Sequence, residues 1–174
     1  MGQQVKLENV VINWPVLFTP TTSKNFPSNP PTYGIVCILD QVKDAKAIRD
    51  VKAALDEQNA LTFKDKLRAL PTSWKVEPDG KIHLRASASA AQKPGVVDAA
   101  RNVIHADDGS IYAGCTCNVV IDVYTTTNHG GKVCIGLLAV QKVADGERLD
   151  NRPNVEDLFA PIPVTGAPSI DPLF

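Results

Sequence analysis

Apolar and polar positions alternate along several stretches of this chain with the period of two that half-buried strands require. The first stretch is Val5 to Ile12. Val5 and Leu7, then Val10 and Ile12, mark its apolar sides, and the phase slips near Asn9 as at a β-bulge. Trp14-Pro15 is expected to stop this strand, with Val16-Leu17-Phe18 resuming it briefly. Pro20, Pro27, Pro30 and Pro31 among Thr, Ser and Asn predict a loop from Thr19 to Thr32. Tyr33 to Leu39 is apolar nearly throughout and predicts a strand covered on both faces. Lys81 to Ser87 alternates, with Ile82, Leu84 and Ala86 on one side and His83, Arg85 and Ser87 on the other. Cys115 to Tyr124 and Val133 to Val143 give the two strongest strands. The loop from Thr125 to Lys132, with Asn128-His129-Gly130-Gly131, joins them as a hairpin.

One segment has helical spacing instead. Ala45, Ile48, Val51, Ala54 and Leu55 recur on one side, with lysines, Arg49 and acids on the other. Asp40 is the expected N-cap, and the helix is expected to end near Asn59 or Ala60. Leu61 to Leu70 predicts a short second helix before Pro71. Glu77-Pro78-Asp79-Gly80 and Asp107-Asp108-Gly109 read as turns. The resulting picture is mainly β, a small β-barrel with one or two helices and long loops.

The pattern ends at Val143. Asp145-Gly146 is a turn, and Pro161, Pro163, Pro168 and Pro172 crowd the last fourteen residues, a density that forbids helix or central strand. Residues 1–143 are therefore read as the folded domain and residues 144–174 as an acidic, proline-rich, extended and flexible tail.

Composition sharpens this division. With 174 residues, 44% hydrophobic, the chain suits one domain with an appendage and has enough apolar content for a core. No run reaches the roughly 18 apolar residues of a membrane helix. The net charge of −1 argues at first against a nucleic-acid binder. That average hides two opposed parts. Residues 1–143 hold 16 Lys+Arg against 13 Asp+Glu, a balance of +3, and residues 144–174 hold 2 against 6, a balance of −4. Met1-Gly2-Gln3-Gln4-Val5-Lys6 is not a secretory signal, so Cys37, Cys115, Cys117 and Cys134 are expected to be reduced thiols in a cytoplasmic protein.

Catalytic chemistry finds little support. Cys115-x-Cys117 is one residue short of usual zinc spacing, and hairpin pairing puts Cys134 far from Cys117, so the cysteines are expected to be small buried hydrophobes. Asp98, Asp107, Asp108 and Asp122 suggest a metal-dependent nuclease only as an alternative, because turns and solvated strand positions explain them. No nucleophile elbow or phosphate-binding loop occurs, and neither cofactor nor metal is expected. A single-strand binder needs only a basic groove and a few aromatic faces. Candidate cations are Lys24, Lys81, Arg85, Lys93, Arg101, Lys132 and Lys142. Candidate faces are Trp14, Phe26, Tyr33, Trp74, Tyr112 and Tyr124. Trp14 and Tyr33 are expected in the core. Arg85 and Tyr124 stand on the non-core phase of their strands. In the tail, Asp171 with Leu173 and Phe174 offers charge and an apolar plug to a partner's pocket, which a non-DNA virion interaction module would also use.

A resemblance adds to this reading. Lys93-Pro94-Gly95-Val96-Val97-Asp98, Tyr112-Ala113-Gly114-Cys115 and the run Gly136 to Leu149, in this order behind the Tyr33-Gly34 strand and its lysine-rich helix, resemble a family of tailed-phage single-stranded DNA-binding proteins. The similarity spans the chain from the first strand to about Phe159. It implies an OB-fold that coats single-stranded DNA without sequence preference in phage replication or recombination. It also implies an acidic tail that recruits phage or host replication and recombination proteins, with Glu156-Asp157-Leu158-Phe159 looking like the usual terminus. On this reading Arg85, Lys93, Arg101, Lys132 and Lys142 contact phosphates, and Tyr124, Tyr112 and Trp74 stack on bases. The setting is the cytoplasm of an infected bacterial cell, with no membrane involved.

Overall fold

The computed structural model describes residues 2–22, 27–64, 66–69, 71, 73–127, 130–149, 159–160 and 162. Its elements run β1 (Gln3–Thr21), β2 (Thr32–Leu39), α1 (Ala45–Thr62), β3 (Trp74–Val76), β4 (Ile82–Ser89), β5 (Gly95–Val97), β6 (Thr116–Thr126) and β7 (Lys132–Ala144). A single 3-10 turn, Ala106–Asp108, lies between β5 and β6.

The length of β1 makes the architecture. Its first half pairs antiparallel with β6, from Gln3↔Val123 to Val11↔Thr116, and its second half pairs with β2. β2 pairs with β4, and β6 with β7. β4 and β7 then meet in parallel at Ser87↔Gly136 and close the ring β1-β2-β4-β7-β6. This closed five-stranded barrel with one helix is an OB-fold. β3 adds to β4, and β5 adds in parallel to β7.

Alternation fills the barrel as the sequence predicts. Cys117, Val119, Ile121 and Val123 of β6 point in, as do Ile82, Leu84 and Ala86 of β4. Burying each such aliphatic chain contributes about 1.5–3 kcal/mol. α1 turns Val51, Ala54 and Leu55 toward the core cluster and packs on β6 and β1. The bulge at Asn9 is present. Its φ is 54°, its N–H donates to Asn118 Oδ1 at 2.9 Å, and Lys43 Nζ donates to its carbonyl at 2.7 Å.

Four local expectations are corrected. Trp14-Pro15 does not end β1. Pro15 falls inside the register shift between Asn13 and Val16, where no ladder hydrogen bond is required of it, and pairing continues to Thr21↔Thr32. Asp40 is not the N-cap of α1. Asp40 Oδ1 instead accepts the N–H groups of Val42 and Lys43 at 2.8 and 3.0 Å, bonds that hold its carboxyl below the usual carboxylate range. Buried Asp44 takes the capping position and accepts the Asp40 N–H at 2.9 Å. α1 runs on to Thr62, and the described residues after it form turns and bends rather than a second helix. The cause is Asn59. Its Oδ1 accepts the Arg68 N–H at 2.9 Å and its Nδ2 donates to the Arg68 carbonyl at 2.7 Å, folding the chain back on the helix end.

Candidate nucleic-acid interface

A groove of about 510 Å³ runs beside the closure of the barrel, lined by Arg68, Ala69, Pro71, Ser73, Arg85, Ser87, Tyr124, Gly131, Lys132, Val133, Cys134 and Ile135. Each wall follows from local sequence. Arg85 and Ser87 stand on the outward phase of β4, and Arg85 N–H is fixed to the Ser73 carbonyl at 2.7 Å. Tyr124 takes the outward phase of β6 opposite Cys134 of β7. It leans over Gly136, where an added Cβ would stand only 3.3 Å from its ring, so the bare backbone there leaves room for the phenol at the seam. Burial, and then the neighbouring Cys134, raise the Tyr124 phenol above its ordinary value. The ring is therefore neutral beside the cations. Thr62 and Thr125 hydroxyls, 2.7 Å apart, tie the end of α1 to this hairpin.

Arg68, which sequence reading missed, is the most constrained cation in the groove. The Asn59 clamp fixes its backbone, and its guanidinium lies 4.8 Å from the Phe63 ring centre. Its Nε is buried and has no hydrogen-bond partner among the described residues. Gly131, at φ 90°, admits this pair, because a Cβ there would come to 2.6 Å from Phe63 Cε1 and 3.2 Å from Arg68 Nε. Among the described residues three cations thus line the groove, and none of its lining residues is acidic. A larger cavity of about 610 Å³ carries the opposite balance, with Asp40, Asp44, Asp79 and Glu147 against Lys43, Lys81 and His83. Its charge disfavours a phosphate chain.

The groove gathers three of the eight expected DNA contacts, Arg85, Tyr124 and Lys132. Trp74 lies in β3, half-buried and packed on the core cluster. Lys93 is exposed before β5, on the far side of β7 from β6. Arg101 is exposed at φ 70° in a tight loop knotted by Asp98, whose Oδ1 accepts the N–H groups of Ala100 and Asn102. That role accounts for Asp98. Asp108 likewise closes the turn after His105, accepting its N–H at 2.7 Å. Tyr33 is buried as expected, whereas Trp14 is 65% exposed, the reverse of the expected core position. Lys24 and Phe26 lie outside the described residues, as do Asp157, Asp171, Leu173 and Phe174. Phe159 is described and exposed.

Tyr112 and Lys142 belong to a different cluster. Lys142 Nζ and the Arg148 guanidinium lie 5.3 and 4.7 Å from the Tyr112 ring centre. Lys142 pairs with Asp145, whose carboxyl is held low mainly by that bond. Tyr112 Oη accepts the Gly146 N–H at 2.9 Å and donates to its carbonyl at 3.0 Å, and Leu149 N–H reaches the Ala113 carbonyl at 3.0 Å. The cluster fastens the segment after β7 to the barrel. The thiols of Cys115 and Cys117 are fully buried and 3.7 Å apart. Hydrogen bonding with Cys117 pulls Cys115 down to about 7 and pushes Cys117 up. Cys134 lies opposite Tyr124 and Cys117 opposite Lys142, so these thiols do not converge.

The family described as Enterobacter phage Enc34, ssDNA-binding protein, matches residues 3–167. The solved single-stranded DNA-binding protein from bacteriophage Enc34 in complex with ssDNA superposes with a TM-score of 0.72 at 20% identity, over 84% of this chain and 89% of that one. A second solved structure of the single-stranded DNA-binding protein from bacteriophage Enc34 gives 0.71 at 21% identity, over 89% of each chain. Gp2.5, a single-stranded DNA-binding protein encoded by bacteriophage T7, gives 0.60 at 16% identity, over 87% of this chain and 97% of that one. Protein p50 of Acyrthosiphon pisum secondary endosymbiont phage 1 is 35% identical over 68 residues, 39% of this chain. The match spans only 36% of the length of that curated relative.

Proposed function

The chain belongs to the family of the Enterobacter phage Enc34 single-stranded DNA-binding protein, and from that premise we propose that it coats single-stranded DNA without sequence preference during phage DNA replication and recombination. It acts by binding, not by catalysis. The observation that supports this reading most is the convergence of Arg68, Arg85 and Lys132 with Tyr124 on a groove with no carboxylate among its described lining residues. Cations along a groove track phosphates of any sequence, and an aromatic face accepts any base. Lys93 and Arg101 on the loops around β5 would extend the cationic path. Titration with oligo-dT across salt tests the proposal. Binding at low salt is expected, with a logarithmic salt slope of about −2 for three phosphate contacts on a single strand. Absence of binding at low salt would end this reading.

Among the described residues no helix is long and apolar enough to cross a membrane. The proposed setting is the cytoplasm of the infected bacterial cell. We further propose that the acidic tail recruits replication or recombination proteins of phage or host through Asp157, Phe159, Asp171, Leu173 and Phe174, and competes weakly with DNA for the cationic groove. Deleting residues 160–174 is then expected to leave oligo-dT affinity unchanged or up to a few-fold tighter, as fluorescence anisotropy would report, while abolishing partner capture. Weaker DNA binding after deletion would contradict the competitive role.

A further inference from the structure

We propose that Trp14 is a base-stacking subsite that selects single strands over duplex, an inference that rests on the DNA-binding function above. The indole is 65% exposed although it sits on a barrel strand. Its backbone is in the left-handed region at φ 43°, where a bulky side chain is rarely found. The turn is held from inside, because the Trp14 N–H donates at 2.9 Å to Oδ1 of Asn13, itself only 9% exposed. Pro15 follows, and the β1–β2 register shifts across these residues. Asn13-Trp14-Pro15 is thus a built kink that leaves a large ring in solvent.

Its surroundings say what the ring meets. Trp14 lines a hollow of about 220 Å³ with Thr21, Thr32, Gly34, Arg85 and Ser87 among its walls. Arg85 and Ser87 also line the groove beside Tyr124. The hollow therefore continues the groove across the same two side chains, and among the described residues no carboxylate lines it. A strand whose phosphates follow Arg85 brings its next bases past the indole. An unpaired base offers a free face to such a ring, while a base in duplex is covered above and below by its neighbours. Cations alone do not make that distinction, since both forms carry phosphates.

The test uses the full chain with Trp14→Gly, which keeps the left-handed turn without strain, and Trp14→Phe, which keeps a ring. Anisotropy of labelled oligo-dT and of a labelled duplex is read for each, with circular dichroism to verify the fold. Trp14→Gly is expected to lose about tenfold in oligo-dT affinity, within the range for one stacked base, with an unchanged salt slope and unchanged duplex affinity. Trp14→Phe is expected to recover most of the loss. Oligo-dT binding by folded Trp14→Gly within twofold of the parent, or an equal loss on duplex, overturns the inference and leaves the DNA-binding function standing. If the parent chain itself fails to bind oligo-dT, the function fails and this inference with it.

Discussion

Replacing Arg68 and Arg85 together by alanine is expected to weaken oligo-dT binding about a hundredfold and to flatten its salt dependence. The two guanidiniums line one groove, and among the described residues no carboxylate lines that surface to consume their charge. The Asn59 clamp and the Phe63 ring hold Arg68 in place, so an incoming phosphate oxygen that meets its guanidinium gains a charge-assisted bond at little cost in fixing the donor. Roughly tenfold per guanidinium corresponds to ~1.4 kcal/mol each. Each lost phosphate contact should also take about 0.7 from the salt slope on a single strand. The double variant is thus expected to bind with a slope shallower by about 1.4, in anisotropy titrations between low and moderate salt. An unchanged slope would mean that the phosphates run elsewhere, with Lys93 and Arg101 the next cations to test.

Gly114→Ala should have the largest effect on the fold. Gly114 has φ 110°, and an added Cβ would overlap the Glu147 carbonyl oxygen, while Gly146 faces the Gly114 carbonyl in the same way. The left-handed backbone alone costs a non-glycine residue about 1–3 kcal/mol. Relieving the overlap requires the strand end and the segment after β7 to part. The Tyr112–Gly146 hydrogen bonds and the Leu149 N–H to Ala113 bond would break with it. Limited proteolysis should cut after Lys142 or Arg148 in this variant at least tenfold faster than in the parent, with a lower melting temperature. Equal cleavage rates would show that the segment is not held by this contact.

Much of the barrel was legible because burial enforces period two. Ile82, Leu84 and Ala86, and Cys117 through Val123, had to face one way to make a core, so the outward places of Arg85 and Tyr124 followed. What sequence could not show was which outward residues are free. Lys142 lies opposite buried Cys117, mostly covered, within reach of Asp145 three residues on, and Tyr112 hydrogen-bonds Gly146 thirty-four residues away. Arg68 was hidden because Leu61 to Leu70 reads as helix, where its direction would be set by helical phase. The Asn59 side chain, buried and bonded to both backbone groups of Arg68, sets it instead. Trp14 was misjudged because a large ring is normally worth burying. Only the φ of 43° reveals a backbone bent to turn it outward.

β1 pairs at Gln3 with Val123, across most of the barrel's length in sequence. In kinetic terms the first strand made is among the last to be satisfied. During synthesis at about 5–20 residues per second, β1 emerges and waits for seconds until β6 exists. Only then do the ring and its core form. Closing loops of this length slows folding toward the millisecond-to-second range of non-local β proteins. Until then the β6-facing edge of β1, Gln3 to Val11, offers unpaired backbone groups to any neighbouring strand. Lys6 and Glu8 lie within that edge and interrupt its apolar run, as charges that discourage pairing between nascent chains do.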